Sequence, residues 1–227
     1  MNRDPIESLR YQPCPGSRDL LILCSDRLAG YMSPQRFTWY AVTQSLDVNR
    51  LYLRDNFGLW YFGGLDGFTT GIEDTALFLA EFIEEEGFDR VGIIGPSAGG
   101  TAALLLGALI GADSIDAVSP RTYFVENDST VTDFDRHDVP GSLERLHALN
   151  TLERQYLDLP AFFDRAPLAG SLCRVHYDPE HALDRRHAEH LAGVAGIEFI
   201  TAPGAGHRLQ VDLGQSDAFL RRAAFGA

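Results

Sequence analysis

The sequence predicts an α/β protein, one domain on a mostly parallel sheet with helices on both faces. Three observations carry this. Short apolar runs recur along the whole chain, longer helical or loop stretches separate them, and no internal repeat or low-complexity linker divides the 227 residues. Strands buried on both faces read as continuous apolar runs, and their alternation with helices calls for parallel pairing through right-handed crossovers. A chain of this length can bury a sizeable core as one domain.

The strands follow from the runs. Residues 20–24 (LLILC), 51–53 (LYL), 91–94 (VGII), 115–118 (IDAV, weakened by its aspartate), 172–176 (LCRVH) and 197–200 (IEFI) give a sheet of about six strands. Residues 73–86 place Ala76, Leu77, Leu79, Ala80, Phe82 and Ile83 among acids and stop at Gly87, as a surface helix does. Residues 97–111 are apolar all round and form a buried helix. Residues 184–192 form another, with Asp184 as N-cap, and residues 216–224 the last. Residues 120–170 break the rhythm. Their first half is acidic (Glu126, Asp128, Asp133, Asp135, Asp138) and their second half helical, the pattern of a small cap-like insertion.

Composition removes several classes of function. A hydrophobic share of 45% with 22% charged residues describes a soluble globular chain. The net charge of −13 repels nucleic acid and anionic membranes, so neither is an expected partner. No apolar run is long enough for a bilayer. Every basic residue is arginine; without lysine the chain can form neither a pyridoxal phosphate Schiff base nor a Walker A loop. Cys14, Cys24 and Cys173 are odd in number and far apart, which fits neither a disulfide framework nor a metal site. Cys24 and Cys173 sit in apolar runs and read as buried small hydrophobes. The N-terminus lacks an apolar signal region, so the expected location is cytoplasmic.

The motif that carries chemistry is Gly95-Pro96-Ser97-Ala98-Gly99, directly after an apolar run and directly before the buried helix. G-x-S-x-G in a strand–turn–helix context is a nucleophile elbow. The turn must be tight enough to hold the hydroxyl clear of the sheet, which leaves no room for flanking side chains. The helix then aims its N-terminus at Ser97, and the Ala98 N–H is one oxyanion donor. The order of such sites is serine, acid, histidine, with the histidine after the last strand. His207, in the glycine-rich loop after residues 197–200, therefore reads as the general base. The acid should follow residues 172–176, where Asp178, Glu180 and Asp184 all qualify by position. His176, His181, His187 and His190 cluster nearby. His187 and His190 share a helix face, but with no accompanying acid or cysteine constellation they read as a solvated face. No metal and no cofactor is expected. The second oxyanion donor should come from the loop Ser25-Asp26-Arg27, and Asp55 and Trp60-Tyr61, after the second strand, should lie at the carboxyl edge where substrates bind.

These motifs resemble the α/β-hydrolase superfamily over most of the chain. The segments Leu-Ile-Leu-Cys-Ser (21–25), Leu-Tyr-Leu-Arg-Asp (51–55), Trp60-Tyr61, Gly-Pro-Ser-Ala-Gly-Gly (95–100), Ser-Pro-Arg-Thr-Tyr (119–123) and Asp-Arg-Arg-His-Ala (184–188) are similar, more narrowly, to small bacterial hydrolase-like proteins. Some of these are associated with polysaccharide or accessory-secretion loci. In that group the aspartate before the His-Ala pair recurs, so the resemblance implies Asp184 as the acid. The second glycine of the usual oxyanion-side loop is absent here, and Asp26 stands nearby instead as the implied donor. The expected function is hydrolysis of an ester or thioester, on a small-molecule or carrier-bound acyl substrate, through a Ser97 acyl-enzyme. Ser25, Arg27, Asp55, Trp60 and Tyr61 are the expected substrate contacts. The alternatives are acyl transfer to an acceptor other than water, and a non-catalytic binding protein on the same fold.

Overall fold

In the computed structural model, residues 7–27, 37–124, 145–146, 148–149, 151–168, 170–214 and 216–225 are described. Strands β1 (Leu9–Gln12), β2 (Asp19–Cys24), β3 (Asn49–Leu53), β4 (Arg90–Pro96), β5 (Ser114–Val118), β6 (Leu172–Tyr177) and β7 (Ile197–Thr201) form one sheet in the order β1-β3-β2-β4-β5-β6-β7. All neighbours are parallel except β1, which pairs antiparallel with β3 from Leu9 opposite Leu53 to Gln12 opposite Arg50. The sheet has seven strands where about six were expected. The addition is β1, four half-buried residues on an edge, too short and mixed to show as an apolar run. The central strands β2 to β5 are buried almost throughout, as their composition requires.

Helices α1 (Ile72–Glu86), α2 (Ala98–Ile110), α3 (Thr151–Arg154), α4 (Leu159–Phe163), α5 (Ala182–His190), α6 (Leu209–Gly214) and α7 (Asp217–Phe225) complete the fold. The side-chain alternation of the strands separates two cores. Leu20, Ile22, Leu51, Leu53, Ile93 and Ile115 pack with the apolar side of α2. Leu21, Leu23, Tyr52, Ile94 and Val118 pack with Phe219, Leu220 and Ala223 of α7. Helix α2 is buried from Ala98 to Gly107, in line with a sequence that is apolar all round.

The insertion expected at 120–170 is described only in part. Residues 125–144 lie outside the described residues. The remainder docks on α1: Tyr156 donates its hydroxyl to Glu73 Oε1 at 2.6 Å, and Glu153 accepts the Ile72 amide at 3.3 Å, an acid placed at a helix N-terminus. Tyr123 forms a bridge to Asp158.

Asp116 explains why 115–118 is the weakest of the apolar runs. It is fully buried, and Arg174 on the neighbouring strand grips it with two hydrogen bonds of 2.8 and 2.6 Å. His176 Nε2 meets the same carboxylate at 2.7 Å. Burial alone would push the Asp116 carboxyl up, but the bonds from Arg174 and His176 outweigh it and hold it below the ordinary carboxylate range. Cys24 and Cys173 are buried free thiols, and burial pushes both up, the Cys173 thiol to about 12, which favours the protonated form.

Candidate active site

The chain order of the strands locates a crevice. From β2 the chain steps to one side, to β3, and then returns across β2 to β4. The carboxyl ends of β2 and β4 therefore flank the point where the winding direction reverses, the place where α/β sheets open to ligands. Ser97 follows β4 at this edge, and Ser25 to Arg27 follow β2.

Ser97 sits at φ 51°, ψ −115°, a strained conformation for a residue with a side chain. The turn is held by the Ser97 amide, which donates to Val118 O at 2.8 Å, and by the Thr101 amide, which donates to Ser97 O at 3.1 Å. The glycines of the motif are sterically required. A Cβ on Gly95 would stand 2.2 Å from Gly99 O, and one on Gly99 would stand 2.2 Å from Cys24 O. Strand β2, the elbow and α2 are thus in backbone contact around the serine. Ala98 opens α2, which places its amide in the first turn beside Ser97.

His207 lies in a short 3₁₀ turn, Gly206–Arg208, after β7. Its Nε2 is 3.3 Å from Ser97 Oγ, and its Nδ1 is 2.7 Å from Asp184 Oδ1. A carboxylate is only an acceptor, so Nδ1 carries the ring proton and Nε2 is left to accept from the Ser97 hydroxyl. Asp184 is 3% exposed. Burial works to raise its carboxyl, but the hydrogen bond and charge interaction with His207, together with Ser119 and His181, hold it below the usual range.

The three acids left open by position have three different environments. Asp184 meets the His207 ring. Asp178 accepts the Gly206 amide at 2.6 Å and the Glu180 amide at 2.8 Å, and so fixes the loop that carries His207. These amides and that of Gly204 outweigh its burial and keep its carboxyl low. Glu180 is exposed. Asp184 is not the N-cap expected of it. His181 caps α5, its Nδ1 accepting the Asp184 amide at 3.3 Å, which moves the helix start upstream and leaves the Asp184 side chain for His207.

Several expected substrate contacts are buried and hydrogen-bonded to backbone groups. Asp55 is 5% exposed and accepts the amides of Phe57 at 3.0 Å and Tyr61 at 3.2 Å. It is an Asx-type turn that holds Trp60 and Tyr61 at φ 51° and 68°. Burial still raises its carboxyl despite those amides. Tyr61 is fully buried and donates to Ser25 O and Leu53 O at 2.9 and 3.1 Å. Ser25 is fully buried and its Oγ accepts the Thr38 amide. These three pin the loop under the site. The Asp26 amide donates to Thr38 Oγ1 at 3.2 Å, so it is already engaged and is not preorganised as the second oxyanion donor. Trp60 is buried as well, with the Arg27 guanidinium 3.8 Å from its ring centroid and that of Arg121 at 5.3 Å on a loop beyond β5. With the Phe57 and Tyr61 amides depending on one carboxylate, Asp55→Ala should cost about 3 kcal/mol of stability, read by denaturant unfolding; a loss under about 1 kcal/mol would remove Asp55 as the support of this turn.

His187 also departs from expectation. It is 3% exposed rather than solvated, and its Nδ1 accepts the Thr122 amide at 3.2 Å. His190 reaches Asp158 at 2.9 Å, and both rings pack on Tyr123. Two neighbours of the site had no role in the sequence reading. Ser119, at φ 46°, is buried beside Asp184, and its Oγ has no hydrogen-bond partner. His181 Nδ1 lies 3.1 Å from Asp184 Oδ1. The signal for Ser119 was its place directly after a strand at the carboxyl edge; for His181, its place in a histidine-rich stretch beside the acid.

No protein-family model and no curated protein matches this sequence. Solved structures do match the fold. The capsule O-acetyltransferase of Neisseria meningitidis serogroup A aligns with a TM-score of 0.71 at 14% identity, over 95% of this chain and 91% of that one. MGS-MChE2, an α/β hydrolase from a lagoon-sediment metagenome, aligns with a TM-score of 0.59 at 12% identity, over 96% and 94%. The fold is that of the α/β hydrolases. The esterase rPPE, as its W187H mutant, shares it with a TM-score of 0.58 at 15% identity, over 95% of this chain and 75% of that one. Within this α/β-hydrolase fold, the Ser97 elbow after β4, the acid-bearing segment after β6 and the histidine after β7 follow one another along the sheet edge.

Proposed function

We propose that this chain is a serine hydrolase that cleaves an ester or thioester through an acyl-enzyme on Ser97. The observation that carries the reading is the continuous row Ser97 Oγ, His207 Nε2, His207 Nδ1, Asp184 Oδ1, with separations of 3.3 and 2.7 Å. In the reaction, His207 Nε2 takes the Ser97 proton as Oγ attacks the acyl carbon. The Ala98 amide donates to the developing oxyanion, and the imidazolium, steadied by Asp184, returns the proton to the leaving alcohol or thiol as its bond to carbon breaks. Water then attacks the acyl-enzyme by the same route in reverse, and Ser97 is regenerated. The 3.3 Å separation is of the kind that tightens when substrate excludes water.

The second reading sends the acyl group to an alcohol or amine acceptor. It is supported by the likeness to a capsule O-acetyltransferase, which aligns over nearly the whole length of both chains. Both readings share the first half-reaction and separate at the second. A fluorophosphonate probe is expected to label Ser97, located by peptide mass, with labelling abolished in Ser97→Ala. A folded protein that takes up no label would remove the acyl-enzyme from both readings. Product analysis with added alcohols then partitions water from acceptor.

A further inference from the structure

We propose that His181, Asp184 and His207 form a binding site for a divalent transition metal of the zinc class, and that its occupation silences Ser97. The inference rests on the reading of His207 as the base. Two imidazoles from separate segments converge on one carboxylate oxygen: Asp184 Oδ1 lies 2.7 Å from His207 Nδ1 and 3.1 Å from His181 Nδ1. All the ligand atoms lie within 4.8 Å of one another. Two imidazole nitrogens and a carboxylate oxygen, with a fourth position open, is a donor set that zinc accepts in tetrahedral geometry. Zinc bonds of about 2.0–2.2 Å place tetrahedral ligand atoms roughly 3.3 Å apart, so small ring movements suffice.

The local hydrogen bonding already calls for a cation. His181 Nδ1 accepts the Asp184 amide, so its lone pair is exposed there, yet it also faces the carboxylate oxygen, acceptor against acceptor. A proton on Nδ1 would serve the carboxylate and forfeit the cap. The other oxygen, Asp184 Oδ2, is buried with no hydrogen-bond partner. Oδ1 thus takes one proton donor, the His207 Nδ1–H, and Oδ2 takes none. The rings give access from solvent: the side chains of His181 and His207 are 34% and 20% exposed.

The mechanism of silencing is a tautomer shift. A metal on His207 Nδ1 needs the lone pair of that nitrogen, so the proton of the neutral ring moves through solvent from Nδ1 to Nε2. No proton is gained or lost by the ring. Nε2 then bears hydrogen toward Ser97 Oγ and cannot accept the serine proton.

The test uses the full chain freed of metal with a chelator, Zn²⁺ followed by calorimetry, Co²⁺ by its visible spectrum, and hydrolysis of p-nitrophenyl acetate. One equivalent of Zn²⁺ should bind, hydrolysis should fall in step with occupancy, and chelator should restore it. His181→Asn keeps a capping oxygen without the imidazole, and should raise the half-inhibiting zinc concentration by at least about tenfold, each variant being compared with its own metal-free rate. His190→Asn, which alters a histidine paired with Asp158 instead, should leave that concentration unchanged. Ser97→Ala should bind Co²⁺ with an unaltered spectrum. Equal zinc sensitivity in the wild type and His181→Asn, or full activity with the site loaded, would overturn the proposal. Absence of hydrolysis in metal-free protein would count against the hydrolase reading alone, because the Co²⁺ spectrum and its dependence on His181 report on the site without it.

Discussion

Asp184→Asn is expected to lower kcat by about 10⁴-fold while the protein stays folded. The substitution is nearly isosteric, so the effect is one of proton placement. Asp184 Oδ1 can only accept from His207 Nδ1, which fixes the tautomer with Nε2 free to receive the serine proton. An asparagine amide can donate to Nδ1 instead. The ring then carries its proton on Nε2 and opposes the first step. The two other acids supply the controls. Glu180→Gln should leave kcat within about twofold, since the side chain is exposed and lies outside the row. Asp178→Asn should fall between, losing about 10–100-fold, because the carboxylate acts through the Gly206 amide on where His207 stands, and small misplacements of a base are costly. Steady-state kinetics on a p-nitrophenyl ester would decide. If Asp178→Asn proved as damaging as Asp184→Asn, the assignment of separate duties to the two acids would be wrong.

The legible part of this site is the part fixed by steric necessity. The elbow could be read because Gly95 and Gly99 have no alternative: backbone oxygens lie 2.2 Å from where their Cβ atoms would be. The central strands could be read because burial on both faces leaves only apolar residues, and even the Asp116 exception has its partner on the next strand. Position alone could not rank Asp178, Glu180 and Asp184. Choosing among them requires the path of the chain after β6, and that path depends on an imidazole cap at His181 that no propensity scale anticipates. The loop residues carry a second duty for a related reason. Ser25, Asp55 and Tyr61 stand at the carboxyl edge, as expected of contacts to a ligand, but the positive φ of Trp60 and Tyr61 demands buried acceptors to hold the turn. Polar residues near a site can serve the backbone as readily as the substrate. Strand β1 stayed hidden because an edge strand of four residues carries too little pattern to register.

Arg174→Met is expected to destabilise the fold by about 3–5 kcal/mol at neutral pH. Arg174 Nε and Nη2 donate to the two oxygens of Asp116, whose side chain is wholly buried, and Arg174 itself is 6% exposed. Removing the guanidinium leaves a carboxylate in the core with His176 as its remaining partner in the network, and the desolvation cost of the charge is no longer offset. The pH dependence follows from the same shift. A carboxyl whose folded pKa is depressed contributes stability that is fully present above its unfolded pKa, about 3.9, and is lost as pH falls through the folded value. Without Arg174 that depression shrinks. The penalty should therefore be full at neutral pH and narrow as pH drops below about 4, where Asp116 is protonated in the variant and its charge need not be buried. Urea unfolding at pH 7 and pH 3 measures both numbers. The double variant Asp116→Leu/Arg174→Met isolates the pair itself: if it recovers most of the lost stability at pH 7, the cost was that of an orphaned charge. If it is as unstable as the single variant, packing around the Arg174 stem on the α7 face, and not electrostatics, holds this part of the sheet.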